Sequence, residues 1–206
     1  MLTAGLMTPV SGSYKLFGIE TRTFGESELA ERLRVGFIFE GGHLFNQLTI
    51  AENVALPLRY RRNLTSEAAA QEVKPLLELM ELTPLADITP GNIAPNWVQR
   101  AALARALILK PEMLLLDNPL RGLGARHVKW WLHFLEQLWR GHEWLGGSAM
   151  TLVATAEDLH PWRSDARRFA LLRDKQFKLI GSWAEVASQD DTIMRELLEV
   201  SLEKNN

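Results

Sequence analysis

Lys110-Pro111-Glu112-Met113-Leu114-Leu115-Leu116-Asp117-Asn118-Pro119-Leu120 is the stretch on which the reading of this 206-residue chain turns. Pro111 closes the helix before it, the apolar run reads as a buried strand, and Asp117 stands at the strand's C-terminal tip. In open α/β sheets that tip is where ligands bind. A strand-end Asp is also a common Mg²⁺ anchor in nucleotide-hydrolysing proteins. Asn118 places an amide where such a site calls for a second acid.

Working upstream, Trp97 to Leu109 is an Ala/Leu/Arg helix, preceded by a Pro/Gly/Asn loop over Ile88 to Asn96. Thr65 to Leu82 reads as helical, capped by Thr65 or Ser66, with Pro75 as a kink or break. Thr49 with Glu52 three residues on is a capping box that opens another helix. Val35 to Phe39 is a strand closed by Glu40-Gly41-Gly42. Glu26 to Arg34 reads as a short polar helix and Ser13 to Gly18 as a strand. Met1 to Met7 is helix-like, running into a turn at Thr8 to Gly12.

Downstream, Arg121 to Gly124 is a turn. Arg126 to Arg140 carries Val128, Trp131, Leu132, Leu135, Leu138 and Trp139 at helical spacing. Trp130, Phe134 and Trp144 extend this to an aromatic run, which core packing with a partly exposed second face explains without a ligand. Met150 to Thr155 is a further strand, and Phe169 to Leu172 with Phe177 to Ile180 forms a hairpin around Asp174-Lys175. A last helix is expected over Asp191 to Leu202. Strands alternating with helices, then a late hairpin, indicate an α/β sheet with an added helical region.

Composition narrows the function classes. The apolar share is 47%, the charged share 23% and the net charge −2, which gives no electrostatic footprint for nucleic acid. With no Cys there is no disulfide, thiolate zinc site or cysteine nucleophile. No apolar run reaches the ~18 residues of a spanning helix. Met1 to Val10 lacks the basic n-region of a secretory signal. The expected place is the cytoplasm, at most peripheral at the inner face of the membrane.

The order of segments resembles the ATP-binding subunit of ABC transporters. Residues Leu2 to Gly12, Val35 to Tyr60, Gln99 to Gly122 and Leu171 to Gly181 carry the resemblance. Leu44-Phe45-Asn46-Gln47-Leu48-Thr49-Ile50-Ala51-Glu52-Asn53-Val54-Ala55-Leu56-Pro57-Leu58-Arg59 and Gln99-Arg100-Ala101-Ala102-Leu103-Ala104-Arg105-Ala106-Leu107 are its most specific parts. Within the family the nearest group is taken to be the ATPases of MCE/Mla-type lipid transporters. The resemblance implies one P-loop NTPase-like domain over 1–206, N-terminally truncated relative to the family. A helical subdomain occupies about 46–110, and a hairpin and helix about 165–206.

The family's functional positions can be placed one at a time. The Walker A loop, with its phosphate-binding Lys, belongs about five residues before Met1. Glu40 stands at the Q-loop Gln. Ala94, Pro95 and Asn96 replace the Ser-Gly-Gly of the signature, removing a hydroxyl and an N–H donor. Asp117 is kept as the Walker B acid, a weak residual Mg²⁺ site. Asn118 stands at the catalytic Glu, Gly124 at the D-loop acid and Ala156 at the switch His. These replacements lead to the expectation of a non-hydrolysing pseudo-ATPase with no cofactor, acting as a scaffold at a lipid-transport permease. The alternatives are an ATPase whose Walker A lies upstream of the given start, for which ATP and Mg²⁺ would return as cofactors, and a remnant without function. The partners expected are the permease's coupling helix, through Leu44, Phe45, Leu48, Thr49, Glu52 and Asn53, and an intact ATPase paralogue.

Overall fold

Three parallel strands form the framework: β3 (Val35–Ile38), β4 (Met113–Leu116) and β5 (Thr151–Ala154), in the order β3-β4-β5. Parallel strands covered on both faces read as continuous apolar runs, and Leu114, Leu115 and Leu116 are all buried. Register pairs Ile38 with Leu116 and Leu116 with Ala154, so the carboxyl ends of the three strands are level. The computed structural model describes residues 10–16, 18–21 and 34–189. The helices expected over Met1 to Met7 and Asp191 to Leu202 lie outside these residues, as does that over Glu26 to Arg34 except Arg34 itself. The short antiparallel pair β1 (Lys15–Leu16) and β2 (Ile19–Glu20) takes the place of the single strand expected there.

The chain gathers into two compact units: 1–119 with 138–154, and 120–137 with 155–206. Among the described residues, the first holds the three-stranded sheet and the α-helices Ile50–Arg61, Ser66–Leu79 and Pro95–Leu107. Helix α1 (Ile50–Arg61) begins with the capping box read from sequence. The Glu52 N–H donates to Thr49 Oγ1 at 3.2 Å, and the Thr49 N–H to the Glu52 carboxylate at 2.7 Å. Its next free donors are met from far along the chain, Ile50 N–H by the Ile88 carbonyl and Ala51 N–H by that of Ala86, each at 2.9 Å.

Helix α2 (Ser66–Leu79) runs unbroken through Pro75, against the expected kink or break. Proline leaves the Gln71 carbonyl without its i+4 partner, but Gln71 and Pro75 are both exposed, so solvent has access to it. The helix stops short of Leu82 because Glu81 turns left-handed (φ 57°). Glu81 N–H then donates to the Glu78 carbonyl at 2.9 Å, and Leu82 N–H to that of Leu77 at 2.7 Å. This is a Schellman ending, with buried Leu82 as its apolar anchor.

Helix α3 (Pro95–Leu107) starts two residues before the expected Trp97, because Pro95 fits the first helical position with no N–H to satisfy. Its buried residues include the unbroken run Gln99 to Ala104, which covers its circumference, so the helix is packed on several sides. It reaches β3 closely because Gly36 has no side chain: a Cβ there would lie 2.9 Å from the Ala106 carbonyl oxygen.

The second unit contains most of helix α4 (Ala125–Arg140) and the hairpin of β6 (Phe169–Arg173) and β7 (Gln176–Gly181). Asp174 and Lys175 both take positive φ, 50° and 62°, as a tight two-residue turn requires. On α4, Trp131, Phe134 and Leu135 are buried and Trp130 stacks on Phe134 at 5.1 Å. The short helix α5 (Trp183–Ala187) seats Trp183 against Phe169 and His160.

Candidate nucleotide site at the strand ends

The level carboxyl ends of β3 and β4 bring Glu40 and Asp117-Asn118 to one edge of the sheet. The ladder continues one step past the strand, since the Asp117 N–H donates to the Ile38 carbonyl at 2.8 Å. Asp117 and Glu40 are each half-buried. Asn118 is left-handed at φ 45°, a conformation Asn tolerates better than most residues. Pro119 follows and is buried.

Glu40 sits in a turn closed by the Gly42 N–H on the Phe39 carbonyl at 2.9 Å. Gly41, Gly42 and His43 have φ values of 73°, 83° and 45°, three left-handed residues in a row. Arg105 on α3 holds this loop, one guanidinium nitrogen donating to the His43 carbonyl and the other to that of Gly42, both at 3.0 Å. Burial lowers the Arg105 pKa, yet an arginine remains cationic throughout the neutral range.

The first unit also contains Ala94, Pro95 and Asn96 at the start of α3. Ala94 is the N-cap and makes no side-chain cap bond; it and Pro95 are exposed, and Asn96 is half-buried. Gly124 and Ala156 belong to the second unit. There the Gly124 carbonyl accepts from the His127 and Val128 N–H groups at 2.9 and 3.1 Å and starts α4. Ala156 is half-buried, two residues beyond β5.

Of the residues singled out for permease contact, Phe45 is 57% exposed, Glu52 is exposed, and Leu44, Leu48 and Thr49 are half-buried. Asn53 is not on the surface. It is fully buried, accepting from the Phe45 N–H at 2.8 Å and donating to the carbonyls of Phe45, Leu48 and Thr49 at 3.0, 3.2 and 2.9 Å. It shapes the loop beneath that surface. The structure also brings in Arg105 and Gly42, which the sequence alone does not set in a site. No local signal marks Arg105 within its Ala/Leu/Arg helix, because its partners lie 62 and 63 residues away.

Among the described residues there is no cluster of three His, Cys, Asp or Glu side chains able to hold a metal ion. A nucleotide-bound Mg²⁺ needs no such cage, because one or two carboxylates plus phosphate oxygens and water complete its shell. Asp117 with Glu40 fits that need. No helix among the described residues is long and apolar enough to cross a membrane.

An α/β sheet with strand-end acids and an inserted set of helices defines a P-loop NTPase-like ATP-binding domain, and comparison with known proteins fixes its kind. The sequence profile described as ABC transporter matches residues 1–121, and the chain belongs to that family. It is 34% identical over 185 residues to the sulfate/thiosulfate import ATP-binding protein CysA of Synechococcus elongatus, covering 90% of this chain and 51% of that one. It is 32% identical over 185 residues to the spermidine/putrescine import ATP-binding protein PotA of Trichodesmium erythraeum, with 90% and 46% covered. The chain thus spans about half the length of these curated relatives. Among solved structures, the dimeric ATP-binding cassette MJ0796 bound to ADP and Pi superposes with a TM-score of 0.70. Identity is 26%, and 84% of this chain and 75% of that one are covered.

These findings correct three expectations. The MCE/Mla lipid-transporter assignment gives way to the import ATP-binding proteins that the chain matches. The pseudo-ATPase scaffold gives way to an ATP-binding cassette, because the match runs through the whole framework while the expectation rested on single side chains. The expectation of no cofactor falls with it: the relatives are ATP-binding proteins, and the matched cassette holds ADP and Pi.

Proposed function

We propose that this chain is the ATP-binding part of an ABC importer, hydrolysing Mg-ATP to drive uptake of a small solute through a membrane permease. The observation that carries the reading is 34% identity to an import ATP-binding protein over 90% of the chain. One matched relative is named for an inorganic anion and another for polyamines. What they share is import, so the class of solute is left to the permease.

In this reading Asp117 and Glu40 bind the Mg²⁺ that neutralises phosphate charge. Asn118 has no basic oxygen, but an amide can orient the attacking water, a role side-chain amides fill in other nucleotide hydrolases. Without a general base, turnover is slower by about 10²–10⁴ and not abolished. Ala94, Pro95 and Asn96 form the surface turned to a second ATP-binding subunit. Leu44, Phe45, Leu48, Thr49 and Glu52 receive the permease, with Asn53 as the support beneath, which places the protein at the inner face of the membrane. The reading requires a Gly-rich loop bearing Lys-Ser/Thr to wrap the phosphates.

The test is Mg-ATP turnover by the purified protein with Asp117→Ala and Asn118→Glu beside it. Asp117→Ala is expected to lower the rate by at least about 10²-fold, and Asn118→Glu to raise it by about 10²-fold or more. Turnover that survives Asp117→Ala undiminished overturns the reading.

A further inference from the structure

We propose that Arg105 is the positioning residue that fixes the loop after β3 and, through it, the Glu40 carboxylate at the strand-end site. The inference rests on the ATPase reading above for what Glu40 does, and on geometry alone for what Arg105 does.

Two contacts seat the loop on α3. One is steric: Gly42 lies so near the helix that a Cβ on it would stand 3.0 Å from the Val98 carbonyl oxygen. The same Cβ would be 3.2 Å from Val98 Cγ1 and 3.3 Å from Ala102 Cβ. The other is the Arg105 fork, with separate nitrogens on the carbonyls of Gly42 and His43. Those carbonyls converge on one side chain only because the backbone is left-handed from Gly41 to His43. His43 has a Cβ and is not at ease there, so something must hold it, and a charged donor to its carbonyl does so. Glu40 lies inside the turn closed from Phe39 to Gly42, upstream of both contacts with Gly41 alone between, inside the same turn. Its carboxylate is therefore set by where the loop docks.

A guanidinium is suited to this and an ammonium is not. Arg presents its donors in a rigid fork that spans two acceptors, whereas Lys is a single point charge on a flexible stem. Arg105→Lys thus keeps the charge and most of the packing while releasing one carbonyl.

The experiment compares the full-length wild type with Arg105→Lys and Arg105→Gln, by amide hydrogen exchange and by Mg-ATP kinetics. The expected result is exchange at residues 41–44 at least 10-fold faster in Arg105→Lys, with α1 and the rest of α3 unchanged. With it, kcat should fall at least 10-fold while KM stays within threefold. Arg105→Gln should show the same pattern more strongly. Unchanged exchange at 41–44, acceleration spread evenly over α1 to α3, or local acceleration with wild-type kcat overturns the proposal. A wild type with no turnover counts against the ATPase reading instead, and exchange at 41–44 then decides the role of Arg105 by itself.

Discussion

Asn53 and Phe45 form a closed pair. The Phe45 N–H donates to Asn53 Oδ1 at 2.8 Å, and Asn53 Nδ2 donates back to the Phe45 carbonyl at 3.0 Å. The same amide group also reaches Leu48 and Thr49, so one buried side chain gathers the whole link between β3 and α1. Replacing it with Leu keeps the volume and strands these backbone groups. Net loss of a buried hydrogen-bonding partner costs about 1–3 kcal/mol, and about 2 kcal/mol is expected for Asn53→Leu. Urea titration should show a lower midpoint with an unchanged slope.

Gly36→Ala puts a methyl 2.9 Å from both the Ala106 carbonyl oxygen and Leu114 Cδ1, and 3.2 Å from Pro111 Cγ. The first of these is helix backbone, which cannot rotate out of the way. Overpacking of this kind costs about 1–3 kcal/mol. The expected outcome is a destabilisation in that range by chemical denaturation, larger than for Ala at exposed Gly91, whose Cβ position is empty.

Arg100 and Glu81 make an unequal ion pair, 2.8 Å apart, with side-chain exposures of 4% and 60%. Removing the surface partner takes the carboxylate from a buried cation that also meets the Trp97 ring at 4.5 Å and the Met80 carbonyl at 3.4 Å. Removing the buried one leaves a carboxylate that water can solvate. Glu81→Ala is therefore expected to cost about 2 kcal/mol, a figure reduced from the fully buried case because Glu81 meets solvent. Arg100→Met should cost less than about 1 kcal/mol, apolar replacement of a buried ion being often neutral. Equal losses in the two single mutants would contradict this account.

Glu185 accepts from the Ser182 N–H at 2.7 Å and from its hydroxyl at 2.8 Å. The backbone bond first, then the hydroxyl, lower its pKa from 4.5. A carboxyl whose folded pKa is depressed stabilises the fold above the unfolded value and loses that contribution as pH falls through the folded value. Acid titration followed at Trp183 should show weakening that begins below about pH 4.5 and has a shallower slope in Glu185→Gln.

Legibility in the sequence followed the range of the interactions. The Thr49–Glu52 box and Asp174-Lys175 at a hairpin tip are determined within four residues and are legible in the sequence. Asp117 at a strand end was legible too, because an apolar run followed by an acid needs no distant partner. Pro75 misled because its cost depends on whether the stranded carbonyl meets water, and that is a tertiary fact. Arg105 and Asn53 were unreadable as supports, since their roles arise from backbone carbonyls that side-chain patterns do not encode. Activity is a different matter, because substituted single side chains say less about it than a framework matched along 90% of the chain.

The bonds from Ile50 and Ala51 to the carbonyls of Ile88 and Ala86 make α1, α2 and the turns after them a closed loop, fastened at its neck. The covalent link from Arg61 to Thr65 is therefore not all that joins the helices. A nick by trypsin at exposed Arg61 or Arg62 would leave both fragments clasped, and the break would appear on a denaturing gel but not in the folded molecule.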